Sequence, residues 1–97
     1  MELFAPIVGT HFRGSEAKRI VNDLVVGEIS FDLIREPENE YDFNAVAVYY
    51  DDIHIGYIAA THNRQIADHL DTEGDYRCEV VDFDGRKPIL LVELLDA

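Results

Sequence analysis

The sequence predicts a mostly β fold, a strongly curved antiparallel sheet of about six strands with two short α-helices. Short runs in which apolar and polar residues alternate recur along the chain, as they do in half-buried strands. Signals for two-residue hairpin turns separate two pairs of these runs, at Asp51-Asp52 and at Asp84-Gly85. Only residues 15–24 and 61–70 carry apolar side chains at helical spacing.

The length of 97 residues is enough for one hydrophobic core, so residues 1–97 are predicted to form a single domain. Apolar residues make up 47% of the chain, which excludes a disordered tail. No apolar run is long enough to cross a membrane, and no signal-peptide pattern is present, so we expect a cytoplasmic protein. The one cysteine, Cys78, is expected to be a buried and inert thiol in a strand.

The chain is strongly acidic. Eight Lys and Arg residues stand against twenty Asp and Glu residues, which gives a formal net charge of −12. Proteins that bind nucleic acid usually have a basic surface, and this field repels a polyanion. Nucleic-acid binding would therefore depend on a local site, through stacking and a few hydrogen-bond donors.

The first half of the chain predicts a strand, a helix and a second strand. The strand covers Phe4 to Thr10, and its pairing is expected to start at Ile7 because Pro6 has no N–H to donate. Ser15 is a predicted N-cap for a helix whose apolar face holds Ala17, Ile20, Val21 and Leu24. A strand over 28–35 follows, with its core face made of Ile29, Phe31 and Leu33.

The Asp51-Asp52 turn predicts the register of the central hairpin, formed by 45–50 and 53–58. If these two residues are the whole turn, cross-strand partners follow by counting outward from it. The predicted pairs on one face are Tyr50–Ile53, Val48–Ile55 and Val46–Tyr57. Those on the other face are Tyr49–His54, Ala47–Gly56 and Ala45–Ile58, with close packing of another layer expected at Ala47 and Gly56.

The last third predicts a helix and a closing hairpin. Thr61 is a predicted cap for the helix, which turns Ile66, Ala67 and Leu70 inward. Strands over 76–81 and 88–95 follow around Asp84-Gly85. The consecutive apolar residues 89–92 predict that both faces of the last strand are covered, by a helix in preference to a second subunit, so a monomer is favoured.

The polar stretch 35–48 joins two strands and carries the candidate recognition residues. Asn39, Asp42 and Asn44 are residue types that bond to nearby backbone amides in turns. Such a loop holds Tyr41, Asp42 and Asn44 at defined positions, which offers a ring, a carboxylate and an amide for binding a ligand. The alternative is that Asp42 and Asn44 only stabilise the loop.

The same stretch resembles the HIRAN domain family. The resemblance is carried by REPENEYDFNAVAV, by IVGTHFRG upstream and by HIGYIA downstream, and it runs from about Ile7 to Leu70. It implies a small β-barrel related to OB and SH3-like folds that grips the free 3′ end of single-stranded DNA. It also implies a role for the residues after the Val-Gly-Thr and Ile-Gly segments. The resulting candidate site consists of His11, Phe12, Arg13, Tyr41, Asp42, Asn44 and Tyr57.

These observations predict a non-catalytic nucleic-acid-binding module, with a single-stranded DNA end as partner and no cofactor. No phosphate-binding loop, dinucleotide fingerprint or nucleophile elbow occurs in the sequence. No metal is expected, because His62 and His69 lie two helical turns apart. The competing hypothesis is an acidic protein-interaction or DNA-mimic module. Clustering of Arg13, Arg35 and Arg64 around the loop would favour nucleic-acid binding over this competing hypothesis.

Overall fold

The computed structural model describes residues 1–95, and it confirms the predicted mostly β architecture. Six strands and two α-helices are present, with one 3₁₀ turn between the first strand and the first helix. In chain order they are β1 (Glu2–Val8), the 3₁₀ turn (Thr10–Phe12), α1 (Ser15–Asp23), β2 (Phe31–Arg35), β3 (Val46–Tyr50), β4 (Ile53–Ile58), α2 (Asn63–Asp71), β5 (Tyr76–Asp84) and β6 (Lys87–Leu94).

The strands form one antiparallel sheet in the order β2-β3-β4-β1-β6-β5. The sheet curls into a half-barrel, so that the outer strands β2 and β5 approach each other. Side chains bridge this gap: the hydroxyl of Tyr76 accepts from the Leu33 N–H at 2.9 Å. Gly27 and Val80 add a backbone hydrogen bond of 2.8 Å at one end of the gap. These contacts satisfy backbone groups that an open edge would expose.

The hydrophobic core lies inside the curl, under both helices. Its fully buried side chains come from every strand except β2, and from both helices. The largest of them are Ile7, Ile55, Ile58, Ile66, Leu90, Val46, Val48, Val80, Val92 and Pro88. Cys78 is also buried, as predicted, and burial raises the pKa of its thiol to about 12. No helix within residues 1–95 is long and apolar enough to span a membrane.

Strand β1 is paired along more of its length than the sequence predicts. Its ladder with β6 begins at Glu2 and runs through Pro6, so the expected start at Ile7 is wrong. The backbone N and C=O of one residue point to the same side of a strand. The Pro6 carbonyl accepts from Ala59 after β4, so the missing N–H faces β4 and costs the β6 ladder nothing.

The central hairpin has the predicted turn and a different register beyond it. Asp51 and Asp52 have φ values of 46° and 73°, the positive values that a two-residue type I′ turn requires. The pairs Tyr50–Ile53 and Tyr49–His54 are confirmed. A β-bulge then shifts the ladder by one residue, so that Val48 faces Gly56 and Ala47 faces Tyr57. The predicted pairs Val48–Ile55, Ala47–Gly56 and Val46–Tyr57 are therefore wrong, and Ala45 precedes β3.

Strand β2 is shorter than predicted. It starts at Phe31, and Ile29, expected on the core face, is 70% exposed. Glu28 is held by Val80 of β5, whose N–H donates to the Glu28 carbonyl at 3.0 Å. This bond holds residue 28, and so the segment before β2, against β5 and away from the β2–β3 ladder.

Both helix starts and the last turn differ by one residue from prediction. The N-cap positions are Gly14 and His62, in place of Ser15 and Thr61, and neither makes a side-chain capping bond. The β5–β6 turn consists of Gly85 and Arg86, because Asp84 already pairs with Lys87 in the ladder. The left-handed φ of 62° at Gly85 suits a residue without a side chain.

Strand β6 has one buried and one half-buried face. Pro88, Leu90, Val92 and Leu94 are buried, whereas Ile89 and Leu91 are partly accessible. The second face is therefore only partly covered, where the sequence predicts full cover.

Candidate nucleic-acid interface

A surface concavity of about 330 Å³ lies where the 3₁₀ turn, the 36–45 loop, β4 and the start of α2 meet. We call it the loop concavity. Its lining residues are Val8, Arg13, Asn39, Tyr41, Asp42, Ala45, Tyr57, Ile58, Ala60 and Asn63. The lining combines buried apolar side chains with polar and aromatic groups, which is the usual composition of a ligand site.

The loop is held by its own side chains, as the sequence predicts. The Oδ1 atom of Asn39 accepts from the backbone N–H groups of Tyr41 at 2.9 Å and Asp42 at 3.2 Å. The Oδ1 atom of Asp42 accepts from the N–H of Asn44 at 2.8 Å. These turns fix the backbone of Tyr41 and Asp42 before any ligand arrives.

Asp42 is also tied to the helix α2. The Nδ2 group of Asn63 donates to its Oδ2 at 2.8 Å. Asn63 is 3% exposed and is the only buried polar residue among residues 1–95. Both carboxylate oxygens of Asp42 therefore have one protein donor each, and the orientation of the carboxylate is fixed.

Tyr41 presents a bare ring to solvent. It is 90% exposed, whereas the bonds made to Asn39 constrain its backbone. An exposed aromatic ring on an ordered loop loses little conformational entropy when a planar group stacks on it. The position suits a stacking residue.

Glu36 fixes the second ring of the concavity. Its Oε1 atom accepts from the hydroxyl of Tyr57 at 2.8 Å and from Nδ2 of Asn39 at 3.0 Å. Burial, and then the hydrogen bond to Glu36, raises the pKa of the Tyr57 hydroxyl. The hydroxyl is thus committed to the loop, and the ring is what Tyr57 offers to a ligand.

Arg13 lies against Tyr57 and His54. Its Cζ atom is 5.9 Å from the centre of the Tyr57 ring, and its Nη1 atom is 3.2 Å from Nδ1 of His54. Because a guanidinium only donates, Nδ1 of His54 accepts, and the ring proton lies on Nε2, which donates to the Gly56 carbonyl at 2.9 Å. Burial, together with the charge of Arg13, lowers the pKa of His54, so this imidazole is neutral at pH 7.

The structure brings four of the seven predicted site residues together. Arg13, Tyr41, Asp42 and Tyr57 line the loop concavity. Asn44 lies at the end of the loop and contributes its backbone N–H to Asp42. The other two predicted residues, His11 and Phe12, lie outside the lining, and Phe12 is 74% exposed. The binding roles of all seven residues stay predictions.

The three arginines whose clustering around the loop would favour nucleic-acid binding have different environments. Arg13 lines the concavity, while Arg35 forms a two-point ion pair with Asp71, at 2.9 and 3.3 Å, and donates to the Ala45 carbonyl. With its side chain 14% exposed, Arg35 supports the loop from behind. Arg64 is exposed on α2.

Sequence reasoning missed the roles of Glu36, His54 and Asn63. Asn63 and Asp42 are 21 residues apart, and no local pattern indicates that they meet. The position of His54, unlike that of Asn63, was predictable, because the predicted Tyr49–His54 pair placed it beside Tyr49 on the same face of the sheet. The stacked rings of these two residues, 4.9 Å apart, follow from that pairing.

The protein is a small curled antiparallel sheet with two helices, and the loop concavity is its candidate binding site. The model of the HIRAN domain matches residues 1–92, so the chain belongs to the HIRAN domain family, a family associated with DNA binding. The resemblance seen in the sequence is thereby confirmed and extended in both directions.

Two solved structures are similar to this chain. A crystal structure of a protein from Lactobacillus plantarum has 26% sequence identity and a TM-score of 0.83, covering 100% of this chain and 96% of that one. The crystal structure of the HIRAN domain of human HLTF has 19% identity and a TM-score of 0.73, covering 96% of this chain and 74% of that one. The latter likeness concerns the fold alone. No curated protein matches the chain.

Proposed function

We propose that the loop concavity binds the free 3′ end of single-stranded DNA, without catalysis. The observation that carries this proposal is the fixed carboxylate of Asp42, which lines the same concavity as the exposed ring of Tyr41 and the Arg13–Tyr57 pair. A terminal nucleotide has a planar base, a free hydroxyl and an adjacent phosphate. An aromatic ring, a carboxylate and a guanidinium are the side-chain groups that match them.

Asp42 is the proposed acceptor for the terminal hydroxyl. Two ionised carboxylate oxygens offer about four lone-pair sites, and Asn44 and Asn63 occupy one on each oxygen. Acceptor capacity therefore remains on a carboxylate that is already oriented. A 3′ phosphate in the same place would set a second anion against Asp42.

Tyr41 and Tyr57 are the proposed stacking surfaces, and Arg13 is the proposed phosphate contact. Stacking is indifferent to base identity, which suits recognition of an end in any sequence. Arg13 uses one N–H toward His54, and its remaining N–H groups are available to a phosphate oxygen.

Direct titration tests the proposal. Fluorescently labelled oligonucleotides of one sequence, ending in a 3′-hydroxyl or a 3′-phosphate, are titrated with the protein at low salt. We expect the 3′-phosphate to weaken binding at least tenfold, while a matched pair differing only in 5′ phosphorylation binds equally. Equal affinity for both 3′ ends, or no binding at all, would overturn the proposal.

The net charge of −12 supports a second candidate, an acidic module that binds a basic protein or mimics DNA. Exposed carboxylates at Glu38 and Glu40 lie just before Tyr41, which gives the loop a negative charge there. Retention on a polylysine matrix combined with no oligonucleotide binding would favour this function. We further propose that the module acts as a monomer in the cytoplasm, and sedimentation equilibrium tests its oligomeric state.

A further inference from the structure

A second cavity, of about 310 Å³, lies between the 3₁₀ turn, α1 and the β5–β6 turn. We call it the basic cavity. Its lining includes the three cations Lys18, Arg86 and Lys87, together with His11, and contains no carboxylate. The proposed end site does not use it.

The charge of this cavity contrasts with that of the whole chain. Three of the eight Lys and Arg residues line it, although the chain carries twenty Asp and Glu residues. Of the five other cations in the described part of the chain, Arg13 and Arg64 form no ion pair. Arg19 is paired with Asp23, Arg35 with Asp71 and Arg77 with Glu93.

Within residues 1–95, by contrast, Lys18, Arg86 and Lys87 form no ion pair. Asp84 faces Lys87 in the ladder but makes no such contact with it. Uncompensated positive charge in an acidic protein marks a place where an anion is favoured.

The floor of the cavity is apolar. Val21 and Pro88 are buried there, so the stems of Lys18 and Lys87 have an apolar surface to lie on while their ammonium groups stay in water. Such a shallow trough with cations at its rim suits a flexible chain of phosphates better than one small anion.

The basic cavity and the loop concavity both border the segment 10–13, which contains the 3₁₀ turn. His11 lines the basic cavity and Arg13 lines the loop concavity. The Cα atoms of His11 and Arg13, two residues apart in the chain, are separated by at most about 7 Å, which is about two nucleotide rises along a stacked strand. A strand whose end lies in the first site therefore reaches the second within a few nucleotides.

We propose that Lys18, Arg86 and Lys87 bind backbone phosphates of the nucleotides that precede the terminal one, so that the strand leaves the end site past the 3₁₀ turn toward the β5–β6 turn. This inference rests on the proposed function, since it takes the nucleic-acid end to lie in the loop concavity. The closeness of the two cavities at His11 and Arg13 favours a nucleic-acid strand over an acidic peptide.

The test compares two double variants with the same net charge. Arg86→Gln with Lys87→Gln removes two cations from the basic cavity, and Arg19→Gln with Arg77→Gln removes two from surface ion pairs, which contribute little to stability. All four side chains are exposed, so we expect both variants to keep the urea midpoint of the parent. The probes are the dinucleotide dTdT and a twelve-residue oligothymidylate, both with free 3′-hydroxyls.

We expect the Arg86/Lys87 variant to bind the long strand at least tenfold more weakly and the dinucleotide within twofold of the parent. The Arg19/Arg77 variant should bind each of the two probes with the affinity of the parent. The logarithmic salt dependence for the long strand should become shallower by roughly 0.7 for each phosphate that the Arg86/Lys87 variant no longer neutralises.

The outcomes separate this inference from the proposed function. A marked preference for the 3′-hydroxyl with equal long-strand affinity in both double variants would overturn the inference alone. Loss of long-strand binding in the Arg86/Lys87 variant, without preference for the 3′-hydroxyl, would overturn the end site and support the basic cavity as a phosphate-binding surface. Binding of polyglutamate at the basic cavity, with no oligonucleotide binding, would overturn the inference in favour of an acidic peptide.

Discussion

Asn63 donates a hydrogen bond of 2.8 Å from its Nδ2 group to Oδ2 of Asp42, and so joins the first turn of α2 to the loop between β2 and β3. Asn63 is 3% exposed, whereas Asp42 is partly accessible. One end of the bond is thus protected from water and the other meets the loop concavity. A buried amide in this position orients a carboxylate that still has lone pairs for a ligand.

Replacing Asn63 should loosen the loop. Hydrogen bonds to charged groups contribute about 1.5–3 kcal/mol, and Asp42 can recover part of this from water, so we expect Asn63→Ala to lower the free energy of unfolding by about 1–2 kcal/mol. Urea unfolding measures this change. Gln65→Ala, on the exposed side of the same helix, is the control and should stay within about 0.5 kcal/mol of the parent. A stable Asn63→Ala variant with unchanged 3′-hydroxyl preference would show that the bond does not orient Asp42.

Truncating Tyr41 should weaken binding without affecting folding. Stacking contributes about 1–3 kcal/mol per base, so Tyr41→Ala should raise the Kd for a single-stranded oligonucleotide about 5- to 150-fold. Its 90% exposure predicts an unchanged urea midpoint. Phe43→Ala is the matched control, because Phe43 is a 71% exposed ring of the same loop and lies outside the lining of the concavity. Equal effects of the two changes would argue against a stacking role specific to Tyr41.

The stability of the domain should depend on the protonation of His54. Its pKa in the folded protein is lowered by burial and by Arg13, so below the ordinary value of 6.5 the unfolded chain takes up a proton before the folded one does. The contribution of His54 to the stability is therefore fully present above about pH 6.5, and it is lost as the pH falls through the lowered pKa of the folded protein.

Urea midpoints measured between pH 7.5 and pH 5 test this dependence. The difference between the parent and His54→Gln should shrink as the pH falls, because the variant lacks the titrating ring. Parallel curves for the two proteins would contradict this role for His54.

Adding a methyl group at Gly56 should destabilise the sheet. A Cβ atom there would lie 2.6 Å from the Val8 carbonyl oxygen and 2.7 Å from Cγ2 of Ile7, so backbone and core would have to shift. Overpacking of this kind costs about 1–3 kcal/mol, which we expect for Gly56→Ala in urea unfolding.

Gly74→Ala offers a comparison for Gly56→Ala. The obstructing atoms at Gly74 belong to the imidazole of His69, whose exposed hydrogen bond to the Asp75 carbonyl can be replaced by water when the ring rotates, so we expect a smaller loss. A larger loss at Gly74 than at Gly56 would show that β1 and β4 separate more easily than their close approach suggests.

The thiol of Cys78 should react only when the protein opens. Its pKa is raised to about 12 by burial, so almost no thiolate exists at pH 8. A colourimetric disulfide reagent should modify Cys78 slowly in the native state and rapidly in urea. Fast modification of the native protein would indicate frequent opening between β5 and β2, where Cys78 contacts the Phe31 carbonyl.

The sequence predicts the elements of this fold well because their signals are local. Alternation along 53–58, the type I′ turn at Asp51-Asp52 and the apolar face of α2 each involve residues close in the chain. The register beyond Tyr49–His54 was not predictable, since the bulge near Ile55 depends on how β4 packs against the curled sheet.

The sequence alone also determined the loop of the candidate site, because Asn39 and Asp42 bond to amides two or three residues away. Only the tertiary structure decided which distant groups join them. Sheet curling and helix packing bring Asn63 to Asp42 and Arg13 to Tyr57, and they gather Lys18, Arg86 and Lys87 around one cavity. Residues so far apart in the chain meet only after the whole core has formed, and a pattern of neighbouring residues does not indicate which of them will meet.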